Sequence, residues 1–486
     1  MVELPEKPRE ACGVFGVFSY TANVARLTYF GLFALQHRGQ ESAGIVTYEK
    51  TDAGVKLHEH RRLGLVAQVF SEEAIQSLHG HLAVGHNRYS TTGSNRVCNT
   101  QPFLATTSRG TLSLAHNGNL VNADTLRSEL LAQNRPLVGT TDSEEIGQAI
   151  AEAVEAMPAA LPAPKVWVGS TMQALRRCEG AFSLVIGTPD GLIGARDHYG
   201  VRPLVIGRLE ESYVLASETC ALDIIGAQFE REVKPGELVW IDDTGLTSYT
   251  WALAEPKLCI FEMIYFARPD SEVHGESLYS YRVRLGRTLA QESPVEADLV
   301  IGVPDSGIPA AIGYANAMGL PYKQGLIKNH YVARTFIQPT QKMREEGLKM
   351  KLNPLKDILN GQRVVMVDDS IVRGTTSRKI VKALRDAGAV EVHMRVCSPP
   401  VTHPCFYGID TDNQDHLIAA RQSVTQIEAH LGVDSLKYLT WEGMLAATGR
   451  QSDNFCSACF TGNYPIPIPA GIQRSKLMLE NVTPTK

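Results

Sequence analysis

Cys12 opens the run Cys12-Gly13-Val14-Phe15-Gly16-Val17-Phe18, in which β-forming residues follow the thiol directly and small glycines leave one face of the chain uncovered. A thiol so placed is a candidate nucleophile, although an arbitrary cysteine is more often a small buried hydrophobe. A second run, Val364-Val365-Met366-Val367-Asp368-Asp369-Ser370-Ile371-Val372-Arg373-Gly374-Thr375-Thr376-Ser377, joins an apolar strand, two carboxylates, a small-residue loop and a helix start. Backbone N–H groups of Arg373 to Ser377, the Ser and Thr hydroxyls and the positive end of the next helix can converge there on a phosphate. Asp368 and Asp369 would face the group attached to it, whereas a bare Asp pair would be only a turn or cap. The third group is the C-x2-C pair Cys456-Ser457-Ala458-Cys459, which by itself favours zinc or a redox pair.

The elements that must hold these groups change character along the chain. From Cys12 to about Ile241, β-rich runs such as Gly13 to Phe18, Leu82 to Gly85 and Tyr213 to Ala216 alternate with turns and a few helical stretches, predicting a layered α+β domain. After the turn at Asp242 to Gly245, the apolar runs Leu299 to Val303, Val364 to Val367 and Val390 to Val396 alternate with helical patterns, predicting a mainly parallel sheet. Residues 375–388 have helical spacing with Gly388 as the stop, and the Pro/Ala-rich residues 157–164 read as a surface connection.

At 486 residues the chain exceeds one core, so two or more domains are expected. Lys and Arg number 47 against 52 Asp and Glu, giving −5, which argues against a nucleic-acid surface but leaves room for a local pocket for a small polyanion. No run approaches ~18 apolar residues, and residues 1–11 lack the apolar core of a signal peptide, so a cytoplasmic protein without a membrane segment is expected. Nine cysteines without a secretory segment suggest thiols kept for chemistry or metal.

Four further motifs follow Cys12: Gln36-His37-Arg38-Gly39-Gln40-Glu41-Ser42-Ala43-Gly44, Gly85-His86-Asn87-Arg88-Tyr89, Ala115-His116-Asn117-Gly118-Asn119 and Thr141-Asp142-Ser143-Glu144. In this order they resemble the class-II glutamine amidotransferases, which have the Ntn-hydrolase fold. The resemblance implies that residues 1–11 are a propeptide whose removal frees the α-amino group of Cys12. That amine, with a pKa of about 7.7 to 8.0, can take the thiol proton. It also implies that Cys12 attacks the glutamine carboxamide, that Asn117 and the Gly118 N–H stabilise the oxyanion, and that Arg88 and Asp142 bind the α-carboxylate and α-ammonium of glutamine. His37, His86 and His116 are read as structural.

The run Val364 to Ser377 resembles the phosphoribosyl pyrophosphate motif of type I phosphoribosyltransferases. This implies contacts to that substrate from Asp368, Asp369, Ser370, Arg373, Gly374, Thr375, Thr376 and Ser377. Gly302-Val303-Pro304-Asp305-Ser306-Gly307 resembles the family's pyrophosphate loop, so Ser306 joins Asp368 and Asp369 as an expected magnesium-linked residue. Arg334 and Lys351 match a loop that closes over the substrate and are expected to neutralise pyrophosphate. Closure would keep ammonia neutral and exclude water, and an apolar passage between the two sites is expected.

Together the motifs resemble enzymes that join a class-II glutaminase domain, residues 12–245, to an α/β phosphoribosyltransferase domain, residues 246–486. Cys259, Cys405, Cys456 and Cys459 lie in contexts found in the branch of these enzymes that carries a 4Fe-4S cluster, although four thiolates equally suit zinc. The implied reaction converts glutamine, phosphoribosyl pyrophosphate and water to 5-phosphoribosylamine, glutamate and pyrophosphate, the first committed step of purine synthesis. Relatives are homo-oligomers, so a dimer or tetramer inhibited by purine nucleotides is expected. Aminosugar or asparagine synthesis would need a different second half, and a ligand-sensing regulator would not need Cys12, Asn117 and Asp142.

Overall fold

A computed structural model describes residues 12–89, 92–329, 352–411, 413–450, 454–469 and 479. Its first part is a sandwich of two antiparallel sheets. The seven-stranded sheet places Gly13–Phe18 between Ser212–Ala216 and Leu82–Arg88, and the six-stranded sheet places Gly110–Leu120 beside Gly180–Gly187. Gly13–Phe18 is apolar throughout because both of its faces are covered. Phe15 and Val17 pack with Val24 and Leu32 of the helix Val24–Ala34, while Val14 and Phe18 pack with Val185 and Leu192 of the other sheet. The helices Ala123–Ala132, Asp142–Glu155 and Ala163–Leu175 cover the outer face of the six-stranded sheet. The result is four layers, helix, sheet, sheet and helix.

The second part has a four-stranded sheet, all parallel, in the order Leu299–Gly302, Arg363–Asp368, Glu391–Val396 and Ser435–Tyr438. Strands buried on both faces read as continuous apolar runs. Val365 and Val367 face the helices Leu278–Glu292 and Ile308–Met318, whereas Val364 and Met366 face Thr375–Asp386 and Val424–Leu431. The loops after Gly302 and Asp368 therefore leave adjacent strands at their carboxyl ends, where open α/β sheets bind ligands.

Two sequence expectations are adjusted. The boundary at residue 245 falls inside a hairpin: Gly245–Thr250 pairs with Glu237–Asp242, and Trp251 then packs in the first domain's core and donates to the Arg196 carbonyl at 3.1 Å. Turn residues at Asp242 to Gly245 signalled a chain reversal, and the reversal lies within the sheet. The Pro/Ala-rich connection is shorter than residues 157–164, because a helix starts at Ala163 with Pro164 in its first turn, where a missing N–H costs nothing. The domains also share one apolar core, in which Val121, Ala181 and Val201 of the first pack with Leu258, Phe261 and Tyr407 of the second.

Candidate functional site

The structure gathers Cys12, Arg88, Gly118 and Asp142 in one cleft, with Tyr89, Thr92, Gln101, His116, Thr141 and Ser143 between them. Cys12 precedes its strand, its thiol donating to the Tyr89 carbonyl at 3.3 Å and its own carbonyl accepting from Arg38 Nε at 3.2 Å. Burial pushes the thiol up to about 11, more than the charge of Arg88 pulls it down. It is thus a poor nucleophile until a base takes its proton.

Asn117 lies on the strand Gly110–Leu120, two residues beyond Ala115, which packs with Val14 between the sheets. Strand alternation puts Asn117 on that same face, toward the sheet that carries Cys12. Its amide is fully buried, with neither nitrogen nor oxygen paired among the described residues. Gly118 has φ +155°, and a Cβ there would lie 1.9 Å from the Ala181 carbonyl oxygen, so only glycine fits.

Arg88 is buried at the end of Leu82–Arg88 and donates to the carbonyls of Thr92 (3.1 Å), Gly93 (3.4 Å) and Ser94 (3.2 Å). Asp142 is the first residue of Asp142–Glu155 and accepts from the Leu120 N–H at 3.0 Å. Burial alone would raise its carboxyl, but His116 and the N–H groups of Leu120 and Ser143 outweigh this and hold it below the usual carboxylate range. A guanidinium and a carboxylate, both fixed, thus face one cleft. The three histidines sit in structural networks: His116 Nδ1 meets Ser143 Oγ at 3.2 Å, His86 Nε2 meets the His116 carbonyl at 3.0 Å, and His37 Nε2 meets Glu218 at 2.7 Å.

The sequence did not reveal that the second domain closes this cleft. The turn after Cys405 brings Gly408 against the backbone of Gly118, with a Cβ at Gly408 falling 3.1 Å from it, and Gly408 has φ +105°. Asn119 donates to the Phe406 carbonyl at 3.1 Å, and Tyr89 donates to Asp410 at 2.8 Å. Nothing local in residues 406–410 points to a partner some 290 residues earlier.

In the second site, Asp368 and Asp369 end the strand Arg363–Asp368, both buried. Asp369 accepts from Ser306 Oγ at 2.5 Å and from Ser370 Oγ at 2.6 Å, so the two predicted loops meet at this carboxylate. Gly374, at φ +80°, turns the chain into Thr375–Asp386, and no side chain caps this helix. Its first N–H groups are therefore left to a ligand, as a phosphate cradle requires. Lys328 pairs with Asp305 in the neighbouring loop. Arg334 and Lys351 lie outside the described residues.

Four cysteines meet at a third place. Leu258–Cys259 pairs with Phe455–Cys456 in parallel, Cys259 opposite Cys456. The Cys459 carbonyl accepts from Thr402 and His403 N–H at 3.0 and 3.1 Å, just before Cys405. Burial pushes Cys259 up to about 11 and raises Cys456 and Cys459 further, neighbouring thiolates adding to the rise. Such crowded soft donors in an apolar shell fit a group that takes them as thiolates. Among the described residues, no three His, Cys, Asp or Glu side chains are close enough for a single metal ion.

Comparison with known proteins agrees with this architecture. A glutamine amidotransferase domain model matches residues 86–223, and a phosphoribosyl transferase domain model matches residues 283–398. The amidophosphoribosyltransferase of Synechococcus elongatus is 63% identical, covering 99% of this chain and 97% of its own. That of Mycobacterium tuberculosis is 48% identical over 98% of this chain and 90% of its own. The structure of the Bacillus subtilis glutamine phosphoribosylpyrophosphate amidotransferase, complexed with ADP and GMP, superposes with a TM-score of 0.87 at 46% identity, covering 95% of this chain and 98% of that one. Fold and sites thus define a class-II glutamine amidotransferase joined to a phosphoribosyltransferase. The chain belongs to the amidophosphoribosyltransferase family, whose reaction moves the amide nitrogen of glutamine onto phosphoribosyl pyrophosphate.

Proposed function

We propose that the two sites divide this reaction as follows. Cys12 attacks the glutamine carboxamide once residues 1–11 are removed and its own α-amino group can take the thiol proton. A buried thiol held near 11 needs such an internal base, since at neutral pH almost none of it is ionised. The Asn117 amide and the Gly118 N–H stabilise the oxyanion, while Arg88 and Asp142 bind the two charged ends of glutamine. Cys12 carries a thioester that water hydrolyses to glutamate.

Ammonia then crosses the apolar contact between domains and displaces pyrophosphate at the second site. There the loop Ser370 to Ser377 holds the 5-phosphate and Asp368 and Asp369 face the ribose. Magnesium, when bound, neutralises the pyrophosphate. Ser306, Asp368 and Asp369 would hold it, a sparse set of the kind magnesium accepts when substrate phosphates and water complete its shell. Arg334 and Lys351 assist the leaving pyrophosphate. Cys259, Cys405, Cys456 and Cys459 hold a 4Fe-4S cluster that ties distant segments of the second domain together. Purine nucleotides inhibit a homo-oligomer in the cytoplasm; the ADP and GMP bound to the Bacillus relative support the regulation.

The observation that carries the reading is one chain holding a cleft of Cys12, Arg88, Gly118 and Asp142 and a separate site in which Ser306 and Asp369 join two phosphate loops. The test is pyrophosphate release by Cys12→Ala with each nitrogen source. Synthesis from glutamine is lost while synthesis from ammonium persists; equal loss of both would refute the division of labour.

A further inference from the structure

Between the cleft and the cysteine cluster lies a buried charge network that neither half of the reaction uses. Glu262 begins a π-helical turn, Glu262–Phe266, three residues after Cys259 in the second domain, and its side chain is 1% exposed. One of its oxygens, Oε1, accepts from two arginines of the first domain, Arg38 Nη2 at 2.7 Å and Arg202 Nη1 at 2.9 Å. Arg38 donates from Nε to the Cys12 carbonyl. Arg202 donates from Nε and Nη2 to the Tyr407 carbonyl at 3.0 and 2.8 Å, the residue before Gly408. Gly408 in turn packs on Gly118. A single carboxylate of the second domain thus stands one arginine away from the nucleophile and one arginine away from the turn that covers the oxyanion donor. π-helical turns recur at functional sites, where they re-aim a side chain that regular helix would place elsewhere.

We infer that Glu262 is a positioning residue for the glutaminase half, setting the distance between Cys12 and the Gly118 N–H by holding Arg38 and Arg202 together. This rests on Cys12 and Gly118 having the roles proposed above. Glu262 does not line the cleft and is not part of the phosphoribosyl loops, so its loss is expected to act through the arginines on the glutamine-dependent rate only. An error of about 1 Å in a reacting pair can cost ~100-fold in rate.

The test compares Glu262→Ala and Glu262→Gln with the parent enzyme, all as the full chain with magnesium and saturating phosphoribosyl pyrophosphate. In Glu262→Ala the kcat with glutamine falls about 30-fold, within the range expected for such misplacement, while KM for glutamine changes less than threefold. The kcat with ammonium stays within twofold. Glu262→Gln keeps an oxygen that both arginines can reach and is about threefold to tenfold faster than Glu262→Ala with glutamine. If Glu262→Ala does not fold, Glu262→Gln is read alone, with about a threefold to tenfold loss confined to kcat with glutamine. Equal loss with both nitrogen sources, a change confined to KM, or full activity with glutamine overturns the inference. Cys12→Ala is the control that separates the two levels of argument. If it still uses glutamine, the reading of the cleft falls; if it does not and both Glu262 variants are normal, only the role of Glu262 falls.

Discussion

Replacing Asn117 with alanine tests the cleft most sharply, because the rate should fall while stability hardly changes. The Asn117 amide is fully buried and unpaired among the described residues. Such a group destabilises a fold by about 1–3 kcal/mol. Removing it leaves a small cavity worth roughly 1 kcal/mol, so the two terms nearly cancel and the melting temperature should stay within a few degrees. The rate has no such compensation. A preorganised donor to a developing oxyanion is worth ~2.7 to 4 kcal/mol, or about 10²- to 10³-fold in kcat. Because the donor binds only the charge that develops, KM for glutamine should barely change. The assay is glutamate formation with phosphoribosyl pyrophosphate and magnesium present, with ammonium-driven pyrophosphate release measured on the same preparation. Asn117→Asp, which keeps the shape but loses the N–H donors, should lose a similar factor. A loss below about fivefold in Asn117→Ala, or a parallel loss with ammonium, would refute the assignment.

Asp368→Asn combined with Asp369→Asn should abolish synthesis from either nitrogen source; surviving ammonium-dependent synthesis would sink the assignment of the phosphoribosyl site. His86, fully buried, is held neutral with its value lowered to about 3, burial outweighing its contact with the His116 carbonyl. The unfolded chain, at the ordinary value of 6.5, binds a proton first as pH falls, so stability present above pH 6.5 is lost below it, at ~1.4 kcal/mol per pH unit down to about 3. Urea unfolding should therefore show the parent losing about 2 kcal/mol more than His86→Gln between pH 6.5 and 5, and parallel curves would exclude this source of acid lability. Replacing Cys456 and Cys459 with serine should remove iron and acid-labile sulfide together, and a parent protein containing zinc without sulfide would overturn the cluster proposal.

The parts legible in the sequence were those whose chemistry is local. The strand Arg363–Asp368, its two carboxylates and the helix from Thr375 occupy one uninterrupted run, so spacing alone gave their order in space. Cys12, Arg88, Gly118 and Asp142 were named individually through a resemblance of motifs, and only the packing of two sheets shows that they share a cleft. Long-range burial was not legible at all. Nothing local marks Arg38 and Arg202 for burial, yet each is almost completely inaccessible, both pairing with Glu262 of the other domain and Arg38 also with Glu218 of its own. The hairpin Glu237–Asp242 to Gly245–Thr250 was cut by a boundary placed at its turn, since a turn between strands and a turn between domains use the same residues.

The lid of the glutaminase cleft is a stretch of the phosphoribosyltransferase half, with Gly408 seated on Gly118 and Phe406 accepting from Asn119. The two halves are consequently not interchangeable cartridges. A fragment ending near Thr250 would leave Arg202 without its carboxylate and Arg38 with Glu218 alone, and would leave the cleft without its lid. Grafting this glutaminase onto another acceptor enzyme would require that enzyme to supply a glycine turn and a buried acid at matching heights. Any lineage that exchanged one half for another would have had to rebuild this seam first.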